Sequence, residues 1–162
     1  MKAIVAVYHN PHDADWGIGA NGTQPLVLSA DRKFFRQTTN GAPVIVGYTT
    51  FLDFPNQRPL PNRTNYIITR KNIQIDGATI VHSTQDLLSH DLQNAFVIGG
   101  ASIYSQLLPY CDEIYVTHIY QNIYPDVFFP NLSLLPNWES VELESGEESG
   151  ISYTIKKYMK KE

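Results

Sequence analysis

A single cysteine, Cys111, stands among 162 residues, so no internal disulfide can form and no thiolate cluster is available for a structural metal. Cys111 reads as a small buried residue in a reducing compartment. Charge is also scarce: charged residues make up 17% of the chain, and twelve Lys plus Arg against sixteen Asp plus Glu leave a formal net charge of -4. A nucleic-acid partner needs a basic stripe, whereas the only such cluster, Lys156-Lys157 with Lys160-Lys161, reads as the solvated end of a strand. Long hydrophobic runs are missing too. MKAIVAVYHNPHD turns polar at His9, well short of the roughly 20 residues of a membrane span, and shows no signal-peptide cleavage pattern. The expectation is a cytoplasmic protein, in which the Asn-x-Ser/Thr sequons at Asn21, Asn62 and Asn131 carry no meaning. There is no repeat, low-complexity tract, linker, nucleophile elbow, His/Cys dyad or Walker loop.

What is present is 43% apolar residues in a length suited to one domain, read as 1–162. Short apolar, β-branched runs recur at 3–8, 43–48, 65–70, 78–83, 95–100 and 113–119, with a terminal pair at 140–145 and 151–159. Helical patterns intervene at 29–39, 49–54, 83–90 and 101–110, the alternation of βαβ crossovers. The fold expected is α/β: a mostly parallel eight-stranded sheet, four flanking helices, and an antiparallel C-terminal hairpin joined by GEESG (146–150). Two loops stand out. Residues 9–25 carry Gly17, Gly19 and Gly22 after the first strand and read as a lid. Residues 53–63, DFPNQRPLPNR, carry prolines that stiffen the loop and can fix an arginine in place.

In SADRKFFRQTT, the residues Asp31, Phe34, Phe35 and Thr38 fall on one helix face, and Arg32, Lys33 and Arg36 on the other. Burial beside aromatics would raise the Asp31 pKa and commit it to a hydrogen-bonding partner. The plain alternative is an acid placed to suit the helix dipole, with Ser29 as N-cap. Gly99-Gly100 closes a strand before a helix, a place for a phosphate or simply for a tight turn. Gly47-Tyr48-Thr49-Thr50 and Thr69-Arg70 are two further strand ends suited to anions, which together favour a phosphorylated ligand. His9 and His12 with Asp13 and Asp15 read as a solvated polar loop rather than a metal site, and His118 as a structural strand histidine. No metal is expected.

In order along the chain, AIVAVY, GIGxxGxxP, ADRKFF, PVIVGYTTF, RPLPNRTNYIITR, FVIGGASIY, EIYVTHI and DVFFP resemble the dihydrofolate reductase family over essentially the whole length. The resemblance implies an NADPH-dependent oxidoreductase of one-carbon metabolism. It would form tetrahydrofolate by hydride transfer to C6 of dihydrofolate with protonation of N5, bind antifolate-like molecules, and act as a monomer. Asp31 matches the active-site acid and Thr117 the strand residue that supports it. Arg63 matches the arginine that pairs with the α-carboxylate of the glutamate tail. Val5, Ala6, Phe35, Phe54, Leu60, Ile98 and Tyr104 match the substrate pocket. Ala6, Val7, Ile18 and Gly19 match the nicotinamide neighbourhood. Gly47, Thr49, Thr50, Gly99, Gly100, Ala101, Ser102, Ile103 and Tyr104 match the cofactor cradle, and Thr69 with Arg70 the adenosine end. The resemblance also implies a cis peptide at Gly99-Gly100, a lid over 17–24, and Asp126 as its holding partner.

Four positions depart from the family pattern. Leu26 replaces the usual Trp after the lid proline, which removes an indole that orders water near the substrate. Arg32 brings a cation beside the benzoyl-glutamate pocket and would alter inhibitor selectivity. Tyr48 replaces an arginine near the 2′-phosphate and leaves Arg70 to carry NADPH preference. Val127 replaces a hydroxyl residue after Asp126. Two other functions suit parts of the pattern: a same-fold pyrimidine reductase of the riboflavin pathway, and a non-catalytic nucleotide-binding module.

Overall fold

The computed structural model describes residues 1–20, 24 and 26–161. The lid expected over 17–24, the sequon at Asn21 and the lid proline at 25 fall wholly or partly outside the described residues. The chain divides into two compact units, residues 1–3 with 37–111, and residues 4–36 with 112–162.

In the first unit, β3 (Pro43–Gly47), β4 (Thr64–Ile68), β5 (Ala78–Val81), β6 (Phe96–Gly99) and the start of β1 (Lys2–Tyr8) lie in the order β5-β4-β3-β6-β1. Every ladder here is parallel, with registers such as Ile45↔Tyr66, Ile45↔Val97 and Lys2↔Phe96. Val44, Ile45, Val46 and Val97 are fully buried, as continuous apolar runs require when a strand is covered on both faces. The helices are shorter than their patterns. The run 49–54 forms α2 (Tyr48–Phe51), because Pro55 holds Phe54 in extended backbone at φ -68 and ψ 149. The run 83–90 forms α3 (Thr84–Leu87), capped by Ser83, and 101–110 forms α4 (Ala101–Leu107) before Pro109 tightens the chain into a 3-10 turn.

In the second unit, the rest of β1 is followed by β7 (Glu113–Ile119), β10 (Ile151–Lys160) and β9 (Trp138–Glu148), with β7–β10 and β10–β9 antiparallel. The terminal hairpin is tighter than expected. GEESG is not all turn: Gly146 to Glu148 remain in β9, and only Ser149 (φ 52) and Gly150 (φ 81) turn the chain, the double positive-φ geometry of a two-residue hairpin loop. The expected count of eight strands also needs correction. Two short strands, β2 (Trp16–Gly19) and β8 (Val127–Phe129), pair with each other, and β2 pairs with β1 at Tyr8↔Gly17. Strands so short, one of them half glycine, lack the run of β-formers that periodicity reads. Among the described residues, no helix is long and apolar enough to cross a membrane.

Successive residues of β7 point to opposite faces, so Thr117 and His118 serve different neighbours. His118 is buried, with Nδ1 2.7 Å from His9 Nε2 and Nε2 2.9 Å from the Tyr158 hydroxyl, and the Trp16 ring packs edge-on against it. It is the satisfied structural histidine expected. His9 is not the solvated loop residue expected, because its amide pairs with the Ile119 carbonyl and turns its ring onto His118. Burial, with the charges of His9 and Lys156 adding, pushes His118 down to about 3. The unfolded chain protonates its histidines near the ordinary value of 6.5, so stability is complete above that pH and declines as pH falls from 6.5 toward 3. His118 alone should remove about 2 kcal/mol by roughly pH 5. Thermal melts of the wild type and His118→Gln, which keeps a donor and an acceptor without titrating, should show a flatter acid slope in the variant. Coincident slopes would refute the assignment.

Candidate functional site

In the second unit, helix α1 (Ser29–Thr39) places Asp31, Phe34, Phe35 and Thr38 on a half-buried face and leaves Arg32, Lys33 and Arg36 exposed, as the spacing predicts. Burial raises the Asp31 carboxyl above its ordinary value, and the Thr117 hydroxyl donates to it and partly offsets the rise. Of the plain reading, Asp31 does lie in the first helical turn, but Ser29 is not the cap. Ser29 lies inside the helix, and its amide and that of Ala30 donate to the Glu148 carboxylate at 2.7 and 3.1 Å.

Beside this acid runs β1, with Val5, Val7 and Tyr8 buried and Ala6 half-buried. The Tyr8 hydroxyl donates to the Leu26 carbonyl. Burial pushes the phenol up to about 12, a hydrogen bond from Gln24 opposes the rise, and the charge of Asp31 adds to it, so tyrosine and acid share one electrostatic environment. Leu26 packs on the cluster of Tyr8, Leu28 and Ile119, the packing role expected of it. Ile18 is half-buried and Gly19 buried, and the Asp126 amide donates to the Gly19 carbonyl at 3.0 Å, tying the residue before β8 to the end of β2.

In the first unit, the strand ends meet at glycines. The Gly99-Gly100 peptide is cis, as the resemblance implies. A Cβ at Gly100 would lie 2.6 Å from Thr50 Oγ1, and one at Gly47 would lie 3.0 Å from Ile103, so Gly47, Thr50, Gly99, Gly100, Ile103 and Tyr104 form one close-packed group. Ala101 is half-buried, whereas Thr49 and Ser102 are exposed on their helices. At the end of β4, Thr69 is buried and Arg70 exposed, and Lys71 lies 5.2 Å from the Tyr48 ring centroid. Lys71 is thus a second cation beside the position where an arginine is absent.

The proline loop does hold its arginine. Arg63 Nε donates to Thr39 Oγ1 at 2.9 Å and Nη1 to the Pro61 carbonyl at 2.7 Å. Asn65, buried in β4, accepts from the Leu60 amide at 2.9 Å and donates to the Leu60 and Arg63 carbonyls at 3.0 and 3.2 Å. Phe54 and Ile98 pack against the neighbouring cluster of Val46, Phe51 and Ile67.

The family model described as dihydrofolate reductase matches residues 2–160. The chain belongs to the dihydrofolate reductase family. It is 37% identical over 132 residues to the dihydrofolate reductase of Haemophilus influenzae, covering 80% of this chain and 79% of the relative. It is 36% identical over 155 residues to that of Bacillus subtilis, covering 92% and 90%. The solved dihydrofolate reductase of Enterococcus faecalis, complexed with NADP(H) and RAB-propyl, superposes with a TM-score of 0.80 at 29% identity, covering 99% of this chain and 96% of that one.

Within this family frame, sequence reasoning missed four residues. Glu148 had no signal, because its partners lie 119 and 118 positions away. Tyr8 is hidden in an apolar run, Lys71 directly follows Arg70, and Asn65 is legible only as an amide inside a strand pattern.

Proposed function

We infer that the chain catalyses NADPH-dependent reduction of 7,8-dihydrofolate to 5,6,7,8-tetrahydrofolate, and the observation that carries this reading is the largely desolvated Asp31 carboxyl, which accepts a hydrogen bond from the Thr117 hydroxyl of β7. Bound NADPH supplies the hydride that C6 receives. Asp31 hydrogen-bonds the pterin ring nitrogen and amino group, fixes the ring, and favours arrival of a proton at N5 through water. Its raised pKa suits this work, since a carboxyl that holds its proton to higher pH than an ordinary one can support protonation of the substrate. Thr117 orients the carboxylate. In the second unit Val5, Ala6, Leu26 and Phe35 would offer apolar contacts near the acid, with Arg32 on the exposed face of the same helix. In the first unit, Phe54, Leu60, Ile98 and Tyr104 are assigned to the substrate by the family resemblance alone.

The glycine pair fits the cofactor: a phosphate approaches backbone most closely where no Cβ stands, and at Gly100 a Cβ would displace the Thr50 hydroxyl. Gly47, Thr49, Thr50, Ala101, Ser102 and Ile103 complete the cradle. Val7, Ile18 and Gly19 would hold the nicotinamide, and Thr69, Arg70 and Lys71 with Tyr48 would hold the adenosine end. A monomer in a reducing cytoplasm suits this reading and its lone Cys111.

Turnover of dihydrofolate, followed by the loss of reduced-nicotinamide absorbance, tests the activity; oxidation only with a ribityl-phosphate pyrimidine would overturn it. Arg63 should bind the glutamate-tail carboxylate, because Nε and Nη1 are anchored by Thr39 Oγ1 and the Pro61 carbonyl, so the guanidinium is held in a fixed orientation before the ligand arrives. Arg63→Ala is expected to raise the dihydrofolate KM about tenfold or more while leaving the NADPH KM unchanged. Equal effects on both would remove the assignment.

A further inference from the structure

The first amides of an α-helix lack partners within it, and a side chain just before the helix normally takes them. Here the preceding residue is Leu28, apolar and buried, which cannot cap. The cap comes from the far end of β9. Glu148 Oε2 accepts from the Ser29 amide at 2.7 Å and Oε1 from the Ala30 amide at 3.1 Å, and the Ser29 hydroxyl also bonds to this carboxylate. The turn at Ser149 and Gly150, both at positive φ, immediately follows Glu148, and Glu148 pairs with Ile151 across it, so the hairpin tip aims the carboxylate. Those hydrogen bonds, the Ser29 and Ala30 amides first, hold the Glu148 carboxyl below its ordinary range and keep it ionised at neutral pH.

The next residue is Asp31. An acid in a first helical turn ordinarily has its charge stabilised by unpaired amides and the positive end of the dipole. Glu148 occupies the two amides beside Asp31 and sets a negative charge there. Among the described residues, the other groups facing the acid do not replace that effect: Thr117 on β7 is a hydroxyl, Tyr8 on β1 is a neutral phenol, and Arg32, Lys33 and Arg36 lie on the outward face.

We propose that Glu148 is a positioning residue for Asp31, fixing the first turn of α1 and cancelling its positive end so that the acid keeps its proton to higher pH. The proposal rests on the reading of Asp31 as the substrate-binding acid. It is tested by titrating the Asp31 carboxyl carbon by NMR in the wild type, Glu148→Gln and Glu148→Ala, alongside the pH profile of single-turnover reduction. Glu148→Gln keeps one acceptor for the helix and removes only the charge, so it reports even where the alanine variant is unstable. The Asp31 titration should move down by about half a unit in Glu148→Gln and at least as far in Glu148→Ala. The alkaline limb of the rate profile should move with it while NADPH affinity stays constant. A lowered Tm with the Asp31 titration unmoved would make Glu148 a structural cap only and overturn the proposal. A wild type that leaves dihydrofolate untouched would overturn the proposed function instead, and the NMR titration would still decide the role of Glu148.

Discussion

Asp31→Asn is expected to bind NADPH like the wild type and to lose roughly a hundredfold or more of its dihydrofolate reduction near neutral pH. The amide can still hydrogen-bond the pterin, but it has no titrating oxygen to hold a proton or help deliver one. The loss should shrink as the medium becomes more acidic, because solvent then protonates N5 without help. In the wild type, burial raises the Asp31 pKa and Thr117 restrains the rise, so activity should fall with rising pH as this group gives up its proton. Single-turnover rates across pH, with NADPH binding measured by fluorescence, decide the matter. A variant that retains the wild-type rate at neutral pH would remove Asp31 from the mechanism.

Gly100→Ala should raise the NADPH Kd by about tenfold or more with dihydrofolate binding and the fold retained. The added Cβ would fall 2.6 Å from Thr50 Oγ1, closer than atoms approach, and Thr50 is a short side chain inside α2 with little freedom to retreat. The clash therefore moves either the hydroxyl or the backbone amide that the phosphate needs. Adding Thr50→Ala removes the colliding oxygen and should recover part of the affinity if the cause is steric. Calorimetry with NADPH reads both variants. Unchanged affinity in Gly100→Ala would place the phosphates elsewhere.

Much of this is legible in the residues alone. The α1 pattern gave its bounds to the residue, 29–39, and put Asp31 on the inward face, because a period of 3.6 survives in any surroundings that bury one side. The strand runs at 43–48, 95–100 and 113–119 matched β3, β6 and β7 within a residue or two, since β-branched continuity reflects coverage on both faces. The short helices were overextended, because pattern alone does not register how Pro55 and Pro109 end a hydrogen-bonded run. β2 and β8 were missed: each is stable only against a strand remote in sequence, and neither carries a run long enough to announce itself.

The sequence by itself determined the helix face that carries Asp31, the glycine pair at a strand end, the proline-flanked arginine and the family, because each depends on residue type and local spacing. Only the tertiary structure decided what acts on those groups. Glu148 on the helix start, Asn65 bracketing Leu60 and Arg63, Lys71 beside Tyr48, and His9 on His118 are all made by approach in space. The physical reason is range: helix periodicity is written in a few neighbouring side chains, whereas a hydrogen bond or a shifted pKa depends on whichever group the fold brings within a few ångströms.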